Sequence, residues 1–156
     1  MDNERIISYR EAINEGLRLA MREDARVILI GEDQAGGAGC DPSLRDAWGG
    51  PFGVTKGLIA EFGVERVIDT PISEMAFIGA AVGAAMTGLR PVADLMYISF
   101  LGACMDQILN QAARARYMSG GRVSVPVTIR TTIGAALEWR LSTQTRSTPC
   151  LPTFPG

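Results

Sequence analysis

The run Val27-Ile28-Leu29-Ile30 constrains this chain more than any other segment. Four consecutive apolar, mostly β-branched residues leave no polar face, so a strand built from them must be covered on both sides. Strands of that kind belong to parallel sheets, whose crossover connections lay helices over each face. The remaining sequence keeps the pattern. Ser8 and Glu11 form an S-x-x-E capping box, and Ile13, Leu17, Ala20 and Met21 recur at helical spacing, which predicts a helix over 9–22. Beyond the first strand, a short helix over 55–62 is stopped by Gly63, and Val67-Ile68-Asp69 reads as a second strand ending at Thr70-Pro71. Ser73 opens a helix that runs to Thr87. A third strand over 92–96 is interrupted by Asp94, and a long helix over 104–117 carries Met105, Ile108, Leu109 and Ala112 on one face. The alternating segment 123–130 is a fourth strand, whose Pro126 points to an irregular or edge position. The fold class is α/β, a parallel sheet with helices on both faces.

Composition narrows the function. The 156 residues suggest one domain, and 47% hydrophobic against 21% charged residues rules out a chain that is mostly disordered. A net charge of -2 without a basic run gives neither nucleic acid nor an anionic membrane an electrostatic foothold. The chain has no histidine, which removes Ser-His-Asp and Cys-His catalysis and every His-ligated metal site. No metal ligands are expected here. Cys40, Cys104 and Cys150 are odd in number and form no CxxC, as free thiols in a reducing compartment do. The amino terminus lacks a signal peptide's basic start, and the apolar stretch 76–89 is too short to span a bilayer. A cytoplasmic location is expected.

In an open parallel sheet, ligands gather at the carboxyl ends of the strands. Three segments fall there: Gly31-Glu32-Asp33, the run from Asp69 to Glu74, and Tyr97-Ile98-Ser99-Phe100. Glu74 sits in the first turn of its helix, where the dipole favours a carboxylate for purely structural reasons. A functional reading needs it to face a cleft beside Ile72, Met75 and Phe77, and pattern alone leaves both open. Phe100 after a strand reads first as core. Gly79, Gly83 and Gly88 among alanines give a helix one nearly bare face, as a close helix–helix contact requires. The long glycine-rich loop after the first strand forms neither GxGxxG nor GxxxxGK[ST], so a phosphate cradle and a nicotinamide-binding fingerprint are both absent.

The run Asp69-Thr-Pro-Ile-Ser-Glu-Met75, followed by Ile78-Gly-Ala-Ala-Val-Gly-Ala-Ala-Met-Thr-Gly-Leu-Arg-Pro-Val92, closely resembles one family. It is the β subunit of the thiamine-diphosphate-dependent decarboxylating component of 2-oxo acid (pyruvate-type) or acetoin dehydrogenase complexes. Ser8-Tyr9-Arg10-Glu11-Ala12-Ile13, Gly31-Glu32-Asp33, Gly53-Val54-Thr55-Lys56-Gly57-Leu58, Asp106-Gln107-Ile108 and Tyr117-Met118-Ser119-Gly120-Gly121 extend the resemblance over 8–135. It implies a transketolase-type pyrimidine-binding domain over 1–135, part of an oxidoreductase. Glu74 matches the glutamate that hydrogen-bonds the cofactor's aminopyrimidine and favours its imino tautomer, a catalytic and cofactor-binding role. Phe100 matches the aromatic that packs on the aminopyrimidine, and Glu32 matches an acidic position in a channel linking paired sites. The resemblance also implies thiamine diphosphate as cofactor, with Mg²⁺ and the diphosphate held by an α subunit in an α2β2 heterotetramer. A lipoyl-bearing acyltransferase component is the further partner. Details in the loops lean towards the acetoin and bacterial pyruvate members.

Two departures accompany the resemblance. The family's carboxy-terminal domain and its Q-H-S segment are missing, so a competing expectation is a truncated, inactive fragment acting at most as an interaction module. The tail over 136–156 is the second departure: nine of its twenty-one residues are Ser, Thr or Pro, and no period of 2 or 3.6 runs through it. One codon assignment for it, read from the third base, yields Q-H-S and a closing H-F-P-G that resemble the family, so the tail is expected to be a frameshift product. Loss of the true continuation is expected to expose apolar surface and favour aggregation.

Overall fold

The computed structural model describes residues 5–36 and 49–133. The expected tail, Cys40, Cys150 and the middle of the glycine-rich loop lie outside the described residues. Helix α1 (Tyr9–Glu23) starts on the expected capping box: Ser8 Oγ accepts from the Glu11 amide, and Glu11 accepts from the Ser8 amide at 2.7 Å. Strand β1 (Val27–Glu32), helix α2 (Leu58–Phe62), strand β2 (Val67–Thr70), helix α3 (Glu74–Met86) and strand β3 (Arg90–Tyr97) follow. Helix α4 (Arg114–Met118) and strand β4 (Thr128–Thr132) close the described chain. All strand pairings are parallel, in the order β2-β1-β3-β4, with Leu29 opposite Val67 on one side and Val92 on the other.

Alternation along the strands divides the core in two. Val27 and Leu29 join Met21, Leu58, Ile59 and Val67 under α1 and α2. Ile30, Ala93 and Leu95 face the opposite way, towards Phe77, Ile78, Ala81 and Cys104. Both faces of the sheet are therefore dry, as the apolar run in β1 requires.

Three elements differ from the sequence expectation. Helix α2 starts at Leu58 and not at 55, because Gly57 before it is left-handed at φ 80°. The fourth strand begins at Thr128 and not at 123, because Pro126 offers no N–H and the Val127 amide turns back to the Val125 carbonyl at 2.8 Å. The long helix after β3 is not uniformly α: Ile98–Cys104 is a 3₁₀ helix and Gln107–Ala113 a π-helix that leads into α4. The widened turns coincide with the crossing of α3, where a Cβ built on Gly79 would lie 3.1 Å from Gln107 Oε1. The bare face of α3 is thus used at Gly79, whereas nothing described lies within 4 Å of a Cβ built on Gly83.

Candidate functional site

The order β2-β1-β3 makes β1 the strand at which the chain reverses its direction of travel across the sheet. The crevice beyond the carboxyl ends at such a reversal is where open α/β sheets place ligands. Glu32, the last residue of β1, lies there, paired in register with Thr70 at the end of β2. The chain then takes a tight path: Asp33 has φ 55°, and the Ala35 amide donates to Asp69 Oδ1 at 2.5 Å. The buried Gln34 donates to the Glu32 carbonyl at 2.8 Å and accepts through its own carbonyl from Thr55 Oγ1 at 2.7 Å. Glu32 is thereby fixed to both β2 and the loop before α2.

Glu74 opens α3 at the same end of the sheet. Ser73 does not cap that helix with its side chain; its hydroxyl donates to the Pro71 carbonyl at 3.0 Å. The Glu74 carboxylate is half-buried and makes no hydrogen bond or ion pair among the described residues. It borders an open groove of about 570 Å³ shared with Met75, Gly79, Ala103 and Gln107. Burial holds the Glu32 carboxyl above the usual carboxylate range, and the negative charges of Asp33 and then Glu74 add to the effect. The structure therefore brings Glu32 and Glu74 into one acidic region. Cys104 belongs to it too: burial raises its thiol above the usual range, and Glu74 contributes. That thiol donates to the Phe100 and Leu101 carbonyls at 3.6 Å each.

Phe100 packs its half-buried ring against the core beneath α3, which satisfies the structural expectation for an aromatic after a strand. It also stands edge-on to Tyr97, centroids 5.6 Å apart at 90°, and Tyr97 stands edge-on to Phe52 at 5.5 Å and 83°. Three aromatics from two distant segments thus form a wall that sequence reasoning missed. Tyr97 was legible only as the first residue after the third strand, which the structure extends to include it; nothing local marks Phe52. Asp94 is a second omission: it is fully buried and ion-paired with Arg130. The Thr70 hydroxyl, opposite Glu32, is buried without a hydrogen-bond partner among the described residues. No three His, Cys, Asp or Glu side chains among the described residues gather closely enough to hold a metal ion.

A doubly covered parallel sheet with acidic groups and aromatic rings at the carboxyl ends of its strands defines an α/β domain of the open-sheet class. The chain belongs to the transketolase pyrimidine-binding-domain family, whose model matches residues 5–138. It is 60% identical over 135 residues to the acetoin:2,6-dichlorophenolindophenol oxidoreductase subunit beta of Bacillus subtilis, covering 86% of this chain and 40% of that protein. The protein of the same name from Cupriavidus necator is 50% identical over 152 residues, 97% of this chain and 44% of the relative. The mitochondrial pyruvate dehydrogenase E1 component subunit beta of Bos taurus is 43% identical over 130 residues, 83% of this chain and 33% of the relative. The chain thus spans less than half the length of these relatives. No helix among the described residues is long and apolar enough to cross a membrane.

Proposed function

We propose that this chain is the pyrimidine-binding part of a thiamine-diphosphate-dependent dehydrogenase β subunit, acting on acetoin or a 2-oxo acid such as pyruvate. The carrying observation is Glu74: a half-buried carboxylate with no described partner, at the carboxyl end of the sheet and close enough to Glu32 to raise its proton affinity. A carboxylate so placed can share a proton with a heterocyclic nitrogen, so the residues present fit an aminopyrimidine. Glu74 would hold the ring by that hydrogen bond, and Phe100 would pack against its face. When bound, the cofactor supplies the nucleophilic carbon that cleaves the bond beside the substrate carbonyl. Glu74 would orient the ring through that hydrogen bond, Glu32 supplies a second acidic group nearby, and Met75 and Ala103 give the groove beside Glu74 an apolar border. Glu32 as part of an acidic channel between paired sites rests on the same placement.

Mg²⁺ and the diphosphate are assigned to an α subunit, in an α2β2 heterotetramer that passes its acyl group to a lipoyl-bearing acyltransferase. The chain has no glycine-rich phosphate motif, and its buried free Cys104 suits a reducing compartment such as the cytoplasm. Titration calorimetry with thiamine diphosphate and Mg²⁺ tests this. The chain alone is expected not to bind usefully, whereas a mixture with an α subunit binds, and Glu74→Gln weakens that binding without dissolving the assembly. Tight binding by the chain alone overturns the half-site assignment; full binding and turnover by Glu74→Gln removes Glu74 from the mechanism.

A further inference from the structure

Between Asp94 and Tyr97 strand β3 takes three steps while β4 takes two, from Arg130 to Thr132. The extra residue makes a β-bulge, a device that re-aims side chains beside binding sites. At its centre Met96 has φ 62°, the left-handed region that a residue with a Cβ avoids. Both of its backbone groups are held. The Met96 amide donates to Asp94 Oδ1 at 3.1 Å, and the Met96 carbonyl accepts from Thr132 Oγ1 at 2.5 Å. The other Asp94 oxygen is occupied by Arg130, which fixes the carboxylate's direction. Directly after this bulge come Tyr97, in edge contact with Phe52 and Phe100, and the 3₁₀ helix that carries Phe100.

We propose that Asp94 and Thr132 are positioning residues: together they hold Met96 in its left-handed conformation and so set the Tyr97–Phe100 wall for the flat ring of the ligand. This rests on the assignment of Phe100 to the cofactor face, but the clamp itself is a property of the ligand-free chain. Strained backbone persists only where surrounding contacts over-determine it, and here side chains from two strands do so.

The chain offers a direct probe, because it has three tyrosines, of which Tyr9 and Tyr117 are about nine-tenths exposed. In protein labelled with 3-fluorotyrosine, the ¹⁹F signal of Tyr97, assigned by its loss in Tyr97→Phe, stands apart through the ring currents of Phe52 and Phe100. Thr132→Val is expected to move that signal towards those of the exposed tyrosines, and Thr132→Ser, which keeps the hydroxyl, to leave it in place. Replacing the ion pair by apolar residues in Asp94→Leu/Arg130→Met is expected to move it as well, since the Met96 amide loses its acceptor. Should Thr132→Val not fold, Met96→Gly/Thr132→Val is expected to fold, because glycine accepts the left-handed conformation without help. An unmoved Tyr97 signal in folded Thr132→Val overturns the clamp, and so does failure of the glycine variant to restore folding. These spectra are taken without cofactor, so a mistaken cofactor assignment for Phe100 leaves them unchanged and shows instead as undiminished thiamine-diphosphate binding by Phe100→Ala mixed with an α subunit.

Discussion

Gly31 and Asp94 approach so closely across the β1–β3 pairing that a Cβ on Gly31 would lie 2.8 Å from the Asp94 carbonyl oxygen and 3.1 Å from its Cβ. The contact is with backbone on a central strand, which cannot swing aside. Gly31→Ala is therefore expected to lower stability by about 2–3 kcal/mol, within the range for overpacking a dense core. Urea unfolding followed by circular dichroism measures it, and a midpoint equal to the parent's would show that β3 yields at that point.

Glu32 carries a pH prediction. Its folded-state pKa lies above the ordinary carboxylate range, so the folded chain binds the proton more tightly than the unfolded one. Stability from this group is then full at acid pH and is lost as pH rises through the raised value. Glu32→Gln is expected to be more stable than the parent at neutral pH and equal to it near about pH 3, where both states of the parent are protonated. In a carboxyl-carbon NMR titration, Glu74→Gln should lower the Glu32 midpoint; a midpoint that stays or rises contradicts the electrostatic link between the two.

The one lysine of the chain is Lys56, and its carbonyl accepts from Asn14 Nδ2 at 3.0 Å and from an Arg18 nitrogen at 3.2 Å. Asn14 also donates to the Val54 carbonyl at 2.5 Å. Helix α1 thus grips the bond that a lysine-specific protease would cut. Asn14→Ala should speed cleavage after Lys56 about tenfold, the equivalent of one hydrogen bond of ~1.4 kcal/mol in the local opening equilibrium. Fragment appearance on a gel reports the rate, and equal rates would place the barrier elsewhere.

Arg66 ties three segments together. Its guanidinium donates to the carbonyls of Met21 at 2.8 Å, Asp24 at 3.0 Å and Val27 at 2.7 Å, and lies 5.1 Å above the Phe62 ring. An ammonium cannot match that planar fork. Arg66→Lys is expected to cost about 1–2 kcal/mol and Arg66→Ala about 3 kcal/mol, measured by thermal or urea denaturation. A harmless lysine substitution would mean that the fork geometry is unimportant.

The fold was legible where local chemistry dictates it. Ser8 and Glu11 announced α1, the apolar run 27–30 announced a doubly covered strand, and Gly63 announced the end of α2. Glu32, Glu74 and Phe100 were legible as residues at strand or helix ends, and the first two do meet electrostatically. What stayed hidden depends on contacts between distant segments. Asp94 read as a break in an apolar strand because its partner Arg130 is 36 residues away. Phe52 gave no signal, since its contact is with Tyr97 across the sheet's end. The π-helical turns over Gln107–Ala113 keep an apolar spacing that suits an α-helix equally well, so the sequence could not distinguish them.

The strand order has a consequence for how the chain is made. β1 is translated first among the strands, yet both of its neighbours come later, β2 at Val67–Thr70 and β3 at Arg90–Tyr97. From Glu32 to Tyr97 is 65 residues. At ~5–20 residues per second, this interval lasts roughly 3–13 s, and the ribosome tunnel, which delays both strands alike, leaves it unchanged. Throughout it, the most apolar strand of the sheet emerges with an unpaired edge on at least one side. A nascent chain in that condition is a substrate for holding chaperones, and slowing translation between codons 32 and 97 should raise its aggregation, because the wait then outlasts the protection.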